Sequence, residues 1–239
     1  MGALISFFNI VLYQPLLNGL ILLYTYLPGQ DFGVAVIVFT LLIKLILHPS
    51  SLHAIRSQKA MAKIQPKVKE IQKKYKGDRQ KQAQATMELY KKEKISPFSG
   101  CLPLLLQLPI LIALYQVFLK GLKPESLTAS LYSFVPNPGE IVPVLLGIVN
   151  LSQPNLLLAL LAGILQFFQS KISVGRQKTK KGDFSSMMQN QMLYFFPIFT
   201  VFIVWKLGSI IGLYWIVSTL FSIGEQYMVK SKAKNENEK

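Results

Sequence analysis

The stretch that decides the fold is FGVAVIVFTLLIKLILHPSSL, residues 32–52, an apolar run interrupted only by Lys44 and His48. The hydrocarbon core of a bilayer is roughly 30 Å thick, and a helix needs about 20 mostly apolar residues to cross it. This stretch therefore predicts a transmembrane helix. Four more apolar runs are candidate membrane spans by the same criterion: 101–119, 155–170, 184–205 and 207–227. The last of these contains Glu225 only at its end. Because only residues 206–208 join the last two runs, we expect these to form a tight antiparallel hairpin.

Composition and charge agree with a membrane protein and predict its orientation. Of the 239 residues, 51 % are hydrophobic and 15 % are charged, which excludes a disordered chain and is too apolar for an ordinary soluble domain. Of the 26 Lys and Arg residues, 22 lie in the segments 55–95, 171–181 and 230–239. Lys and Arg of short loops stay on the cytoplasmic side. We therefore predict an all-α polytopic membrane protein with a five-span core and a cytoplasmic C-terminus.

The N-terminal segment, residues 4–27, allows two interpretations. It is apolar enough to cross a membrane, but Pro15 lies in its middle. On a helix that begins at Pro15, the side chains of Gln14, Asn18 and Thr25 fall within about 40° of one another and form a weak polar face. The favoured interpretation is an interfacial helix on the outer membrane surface. A sixth span fits the charge pattern equally well, because the first thirty residues carry no charge.

Residues 55–97 predict a helical hairpin in the cytoplasm. Apolar positions recur at a spacing of three and four along one helix face, at Met61, Ile64, Val68, Ile71 and Tyr75. The pair Gly77 and Asp78 indicates a turn. A second amphipathic stretch follows, with Ala83, Met87 and Tyr90 as its apolar positions. We expect the two helices to pack face to face, with a bend near Gln65 because Pro66 disrupts a helix interior.

The hairpin is strongly basic. Residues 55–95 contain 13 Lys and Arg against four acidic residues, a net charge of +9. That charge is enough to hold the hairpin near anionic lipid headgroups or ribosomal RNA. The alternative is a solvated loop that simply obeys the orientation rule. The basic residues singled out for an anionic partner are Lys59, Lys63, Lys67, Lys73, Lys74, Arg79 and Lys81.

Lys44 is a positive charge inside a predicted span. It follows Phe32 by 12 residues, about 18 Å along a helix, which places it past the midplane toward the cytoplasm. A central lysine costs roughly 2.5–3.5 kcal/mol on insertion scales. A snorkelling side chain is one explanation, and ion pairing is expected to be absent because no span interior contains Asp or Glu. The favoured interpretation is that Lys44 faces a water-filled cavity.

Other spans supply uncharged polar groups that could line the same cavity. These are Thr40, Gln107, Gln166, Gln169, Ser218, Thr219 and Ser222. For each one, an interhelical hydrogen bond is the simpler explanation. Tyr214 and Trp215 lie deep enough to contact a guest helix. His48 is interpreted as an interfacial residue.

The sequence offers no catalytic constellation. It lacks a phosphate-binding glycine loop, a zinc-protease helix motif and a nucleophile elbow. One cysteine and two histidines are too few for a zinc site. We therefore expect a protein that is not an enzyme, with no catalytic residue, no metal and no cofactor.

Residues 61–118 resemble a known family over a long, ordered pattern, MAKIQPKVKEIQKKYKGDRQKQAQATMELYKKEKISPFSGCLPLLLQLPILIALYQVF. The resemblance is to the YidC-type membrane protein insertases, the bacterial branch of the Oxa/Alb superfamily. It continues in FFPIFTVFIVW at 195–205 and GLYWIVSTLFSI at 212–223, and so covers roughly residues 30–229. It implies five spans around a hydrophilic groove that is open to cytoplasm and lipid, through which short membrane proteins are inserted without ATP hydrolysis.

The resemblance also implies roles for single residues. The family's groove arginine falls on Lys44, its neighbouring polar residue on Thr40, a groove glutamine on Gln107, and substrate-facing aromatics on Tyr214 and Trp215. Lysine keeps the positive sign at this place but loses the planar fork of arginine. We expect no large periplasmic domain and no lipoprotein signal. The tail of residues 230–239 has mixed charge, so tail-mediated ribosome binding is not expected.

Three regions are thus predicted: an interfacial N-terminal helix at 1–30, an insertase core at 31–229 that includes the hairpin, and a charged tail at 230–239. The implied location is the bacterial cytoplasmic membrane. The implied partners are nascent membrane proteins and anionic lipids, then the Sec translocase, the ribosome and the signal recognition particle receptor, but not DNA. The alternatives are an assembly chaperone beside the Sec channel and a small-anion transporter. Against a transporter stand the absence of similarity between two halves and a pathway with a single charge.

Overall fold

The computed structural model describes residues 2–95, 102–174 and 191–237, and these residues are mostly helical. The helices are α1 (Gly2–Phe8), α2 (Gln14–Tyr26), α3 (Phe32–Lys74), α4 (Arg79–Lys92), α5 (Leu102–Gln116), α6 (Pro124–Ser130), α7 (Leu156–Val174), α8 (Phe196–Leu207) and α9 (Ser209–Asn237). π-Helical turns occupy Asn9–Tyr13, Val117–Gly121 and Gln191–Phe195, and a 3-10 turn occupies Pro28–Gln30. A short antiparallel hairpin pairs β1 (Val144–Leu145) with β2 (Val149–Asn150).

Some sequence predictions lie outside the described residues. They are the end of the basic hairpin at 96–97, the start of the second run at Cys101, the basic residues at 176–181, and the first part of the fourth run at 184–190.

The prediction of apolar membrane helices is confirmed at a coarse level. Three helical segments of the described chain are long and apolar enough to cross a bilayer: Ile5–Tyr26, Phe32–Lys74 and Leu156–Ser173. Gln107–Leu119 and Gln191–Leu207 are shorter apolar helical segments. Only Gly208 separates α8 from α9, and its φ of 103° is a conformation that favours glycine. The connection between the last two predicted runs is therefore as short as expected, whereas a core of five spans stays a prediction.

The N-terminal segment is helical from Gly2 to Tyr26 despite Pro15. The chain widens into a π-helical turn just before the proline, where the Gln14 N–H donates to the carbonyl of Asn9, five residues back. This widening accommodates the ring of Pro15, which would clash with the preceding turn of a regular α-helix. By length and composition Ile5–Tyr26 meets the requirements of a span, so the choice between an interfacial and a spanning helix stays a prediction.

Asn18, one residue of the weak polar face predicted for this helix, is turned toward the protein interior. This side chain is buried, donates to the Ser130 carbonyl at 3.0 Å and accepts from the Tyr132 N–H at 2.8 Å. Asn18 faces inward because it satisfies backbone groups where the chain leaves α6.

Helix α3 is one continuous element of 43 residues that passes through Gln65, and the bend expected there stays a prediction. Both Pro49 and Pro66 lie inside it. A proline removes one backbone hydrogen bond and costs about 3 kcal/mol in an isolated helix. Here α3 packs along α9, with Ala54, Ile55 and Val68 buried in its second half, and this burial offsets the local cost.

The second half of α3 packs against α4 across a turn at 75–78, while the location of this helix pair in the cytoplasm stays a prediction. Asp78 caps α4 by accepting from the Lys81 N–H at 3.0 Å. The first predicted face is confirmed, because Ile64 and Val68 are buried and Met61, Ile71 and Tyr75 are half-buried.

The second predicted face is wrong at Ala83 and Met87, which are exposed, whereas Tyr90 is half-buried. The amide of Gln82 donates to the carbonyls of Gln72 and Tyr75, which turns position 82 toward α3. Helical periodicity then directs Thr86 and Leu89 inward, and both are half-buried.

Two apolar clusters hold the helices together. In the larger one, Leu17, Leu20 and Ile21 of α2 pack with side chains of α3, α5, α6 and α9, among them Phe32, Val36, Leu114, Leu127 and Ile211. In the smaller one, Ala159, Ala162, Val204 and Ile216 join α7, α8 and α9. These clusters bring α3 and α9 side by side.

Large apolar side chains remain exposed on the outer faces of the helices. Ile46 on α3 is 77 % exposed, Leu157 on α7 is 74 % exposed and Ile198 on α8 is 70 % exposed. Contiguous apolar surface of this kind is costly in water and is what lipid covers in a membrane protein.

Candidate functional site

Polar side chains face one another along the contact between α3 and α9. We call this set the polar seam: Thr40, Lys44, His48 and Ser51 on α3, and Tyr214, Ser218, Ser222 and Glu225 on α9. The two sets have the same spacing of four, four and three residues, which keeps each set on one face of its helix. The seam therefore forms a polar stripe between helices whose outer faces are apolar.

Lys44 lies in the middle of the polar seam. Its ammonium donates to the hydroxyl of Ser222 at 3.3 Å and interacts electrostatically with Glu225. The side chain is half-buried. Nearby Thr40 is fully buried, and its hydroxyl donates within its own helix to the Val36 carbonyl at 2.6 Å.

Glu225 is a buried carboxylate that the sequence analysis missed. It is only 1 % exposed, and both of its oxygens are occupied. The Nδ1–H of His48 donates to Oε1 at 2.6 Å, and the Ser51 hydroxyl donates to Oε2 at 2.6 Å. A carboxylate therefore lies on the face that Lys44 shares, although Lys44 forms no direct ion pair with it among the described residues. The interpretation of His48 as an interfacial residue stays a prediction.

A signal for Glu225 was present in the sequence. The residue follows Ser222 by three positions and Ser218 by seven, so it falls on the same helix face as these two serines. In the sequence analysis Glu225 was noted only at the end of the apolar run 207–227. The helix continues to Asn237, so Glu225 lies well inside α9.

The remaining predicted site residues form contacts between helices. Gln107 on α5 donates to the Tyr214 hydroxyl, which Ser218 also contacts by a hydrogen bond. The indole N–H of Trp215 donates to Oε1 of Gln166 on α7 at 3.1 Å. The contacts of Gln107 and Gln166 are the interhelical hydrogen bonds that were the simpler explanation for these residues, whereas the contact between Ser218 and Tyr214 lies within α9. Gln169 is half-buried on α7, and Thr219 is buried on α9.

A cavity of about 380 Å³ lies away from Lys44, at the N-terminal end of α9. Its walls include Phe118, Leu122, Glu140, Pro143, Leu207 and Ile210. No residue of the polar seam is among those that line it. Within the described part of the chain, no three His, Cys, Asp or Glu side chains group closely enough to hold a metal ion.

Three of the predicted basic residues of the hairpin contact other side chains of the hairpin. Lys67 pairs with Glu93 at 2.5 Å and Lys81 with Asp78 at 3.2 Å, while Lys74 lies over the Tyr75 ring at 5.5 Å. The N–H and the side chain of Lys81 lower the pKa of Asp78. Lys63, Lys73 and Arg79 are exposed.

Lys59 differs from these, because it lies where α9 passes the second half of α3. Burial lowers the pKa of its ammonium, and the neighbouring charges of Lys230 and Lys63 lower it further. Lys59, Lys63 and Lys230 therefore place positive charges close to one another at the base of the hairpin.

Comparison with known proteins gives consistent similarities. A family model described as 60Kd inner membrane protein matches residues 22–237. A protein of Fusobacterium nucleatum named membrane protein insertase YidC is 35 % identical over 203 residues, which is 84 % of this chain and 87 % of that protein. One of the same name from Clostridium tetani is 36 % identical over 205 residues, 85 % of this chain and 83 % of that protein. The match to a Francisella tularensis relative of that name, 35 % identical over 201 residues, covers 32 % of that longer protein.

Proposed function

From the premise that this chain belongs to the 60Kd inner membrane protein family, we propose that it inserts short membrane proteins into the bilayer through the polar seam. The relatives named as insertases support the general activity. The observation that carries the mechanism is the position of Lys44. This cation lies between α3 and α9, whose neighbouring faces are apolar. The clients are nascent membrane proteins with a short hydrophilic tail.

The mechanism is a reduced desolvation cost. A hydrophilic tail that crosses hydrocarbon loses its hydration, at several kcal/mol for each unpaired polar or charged group. The seam offers hydroxyl, imidazole and ammonium groups along this path, so the tail exchanges partners instead of losing them. Lys44 attracts acidic residues of the tail, because opposite charges interact strongly where the dielectric constant is low. Burial of the apolar client helix in lipid then supplies the free energy, so no nucleotide is hydrolysed.

In the proposed topology α3, α5, α7, α8 and α9 span a bacterial cytoplasmic membrane. The α3–α4 hairpin and the C-terminus lie in the cytoplasm, in agreement with the placement of basic residues. The exposed lysines of the hairpin then face anionic headgroups, with the ribosome, the Sec translocase and the signal recognition particle receptor as further proposed partners.

The test is reconstitution of the purified protein into liposomes without nucleotide. A single-span client with an acidic N-terminal tail is added, and protection of the tail from external protease is scored. We expect protection with the wild-type protein and less with Lys44→Ala. Lys206→Ala is the matched control, because it removes an exposed lysine at the junction of α8 and α9, away from the seam.

The outcomes separate the parts of the proposal. Absence of protection with the wild-type protein contradicts autonomous insertion. Equal protection with wild type and Lys44→Ala retains insertion but contradicts the role of the seam charge. A dependence on added ATP contradicts the nucleotide-free mechanism.

A further inference from the structure

Glu225 is the most buried charged side chain of the polar seam, and its environment is specific. Its carboxylate accepts one hydrogen bond from His48 and one from Ser51, each 2.6 Å long. All three side chains lie on the line of residues that contains Lys44 and Ser222. The carboxylate is thus held in place rather than turned toward solvent.

A carboxylate in this position needs a compensating positive charge. Burying an isolated ionised group costs far more than a hydrogen bond returns, so buried charges are normally paired. Lys44 is the lysine within electrostatic reach on the same face of α3, and His48 lies one turn beyond it.

We propose that Glu225 is a resident counter-charge for Lys44 and sets how strongly the polar seam prefers acidic over uncharged client tails. This inference rests on the proposed insertase function and deepens it. An acidic tail must share Lys44 with Glu225, so the attraction that a lone cation exerts is partly cancelled. The seam therefore accepts uncharged tails nearly as well as acidic ones.

The geometry explains why Lys44 and Glu225 interact electrostatically without forming a direct ion pair. Lys44 is bound to Ser222, while Glu225 is bound to His48 and Ser51 one turn further along both helices. Among the described residues the Lys44 ammonium donates to one hydroxyl, which leaves two of its three donors for a client group. Glu225 lowers the net attraction without occupying these donors.

The experiment compares two clients that differ only in the tail, one with three aspartates and one with three asparagines. Initial insertion rates are measured in the liposome assay, and the result is the ratio of the acidic rate to the uncharged rate. For Glu225→Gln we expect this ratio to rise by roughly fivefold to tenfold, because Lys44 loses its counter-charge. Glutamine keeps the size of the side chain and an acceptor for Ser51.

Three further variants make the result specific. Glu225→Asp keeps the charge and is expected to keep the ratio of the wild type. In Lys44→Gln with Glu225→Gln both charges are gone, so the ratio should be close to one. Glu88→Gln removes an exposed carboxylate of α4 and should change nothing.

The ratio separates an electrostatic role from a merely structural one. If Glu225→Gln slows both clients equally, or if Glu225→Asp raises the ratio as much as Glu225→Gln does, the counter-charge role is overturned. A wild-type protein that inserts neither client overturns the proposed function, which is a different result from an unchanged ratio.

Discussion

Gly163 on α7 lies so close to Val201 on α8 that a Cβ atom at position 163 would be 2.3 Å from Cγ2 of Val201. The Pro197 carbonyl oxygen would be 3.1 Å away. The absence of a side chain at 163 therefore permits the close approach of these two helices, as small residues do at interfaces between membrane helices.

We predict that Gly163→Ala destabilises the protein by about 1–3 kcal/mol, the usual cost of overpacking. The valine cannot move aside easily, because its branched side chain is restricted at χ1. Thermal unfolding in detergent micelles measures the effect. Val201→Ala added to Gly163→Ala removes the clashing methyl group and should recover most of the loss. A Gly163→Ala protein as stable as the wild type would contradict this account of the interface.

The contact between Trp215 and Gln166 predicts a coupled pair. Gln166→Leu leaves the half-buried indole N–H without its acceptor, at a cost of about 1–3 kcal/mol. A double-mutant cycle with Trp215→Phe, measured by unfolding, should show that Gln166→Leu costs less once the indole N–H is gone. Strictly additive losses would show that the hydrogen bond contributes nothing to the packing of α7 on α9.

Asp31 joins the start of α3 to the tip of the β-hairpin. One carboxylate oxygen accepts from the Val34 N–H at 2.8 Å, and the other accepts from the Leu146 N–H at 2.5 Å. Asp31→Ala should cost about 0.5–2 kcal/mol as a lost helix cap and should also speed hydrogen exchange at the Leu146 amide. Asp31→Asn keeps one acceptor oxygen, so only one of the two amides should lose protection. Unchanged exchange at Leu146 in Asp31→Ala would refute the link.

The stability of the protein should depend on the charge of Lys59 at the base of the hairpin, on pH and on salt concentration. Burial and the charges of Lys230 and Lys63 lower the pKa of Lys59, so its protonation costs stability in the folded state. This cost is present at neutral pH and disappears as the pH rises through the lowered pKa toward the ordinary lysine value of 10.5. We predict a higher unfolding temperature for Lys59→Met than for the wild type at pH 7. The difference should shrink at high pH and at high salt, because salt screens the repulsion between the lysines.

Lys73→Met is the matched control for this prediction, since it removes an exposed lysine of the same helix. It should leave the unfolding temperature nearly unchanged. A Lys59→Met protein that is less stable than the wild type at pH 7 would show that Lys59 binds an anion or a carboxylate instead of suffering repulsion.

Local features of the fold were predictable from the sequence. The apolar run at 32–52 is helical, the turn at Gly77 and Asp78 is where it was expected, and a single residue joins α8 to α9. Each depends on residues close together in the chain: a period of apolar side chains, a capping carboxylate, or a glycine at positive φ.

Errors arose where distant residues decide the outcome. Ala83 and Met87 form an apolar line, yet the hydrogen bonds of Gln82 rotate α4 away from it. Local periodicity favours one orientation of α4 and contacts with α3 favour the other, and the contacts carry more free energy.

The sequence by itself determined the apolar helical segments, the segregation of the basic residues, and the family resemblance around Lys44. These features follow from composition and from periodicity along one helix. Only the tertiary structure decided the partner of that lysine and the place of Glu225, because Glu225 and His48 are 177 residues apart in the chain. Their contact depends on how α3 and α9 turn toward one another. That rotation is fixed by the packing of several helices, which no single stretch of sequence encodes.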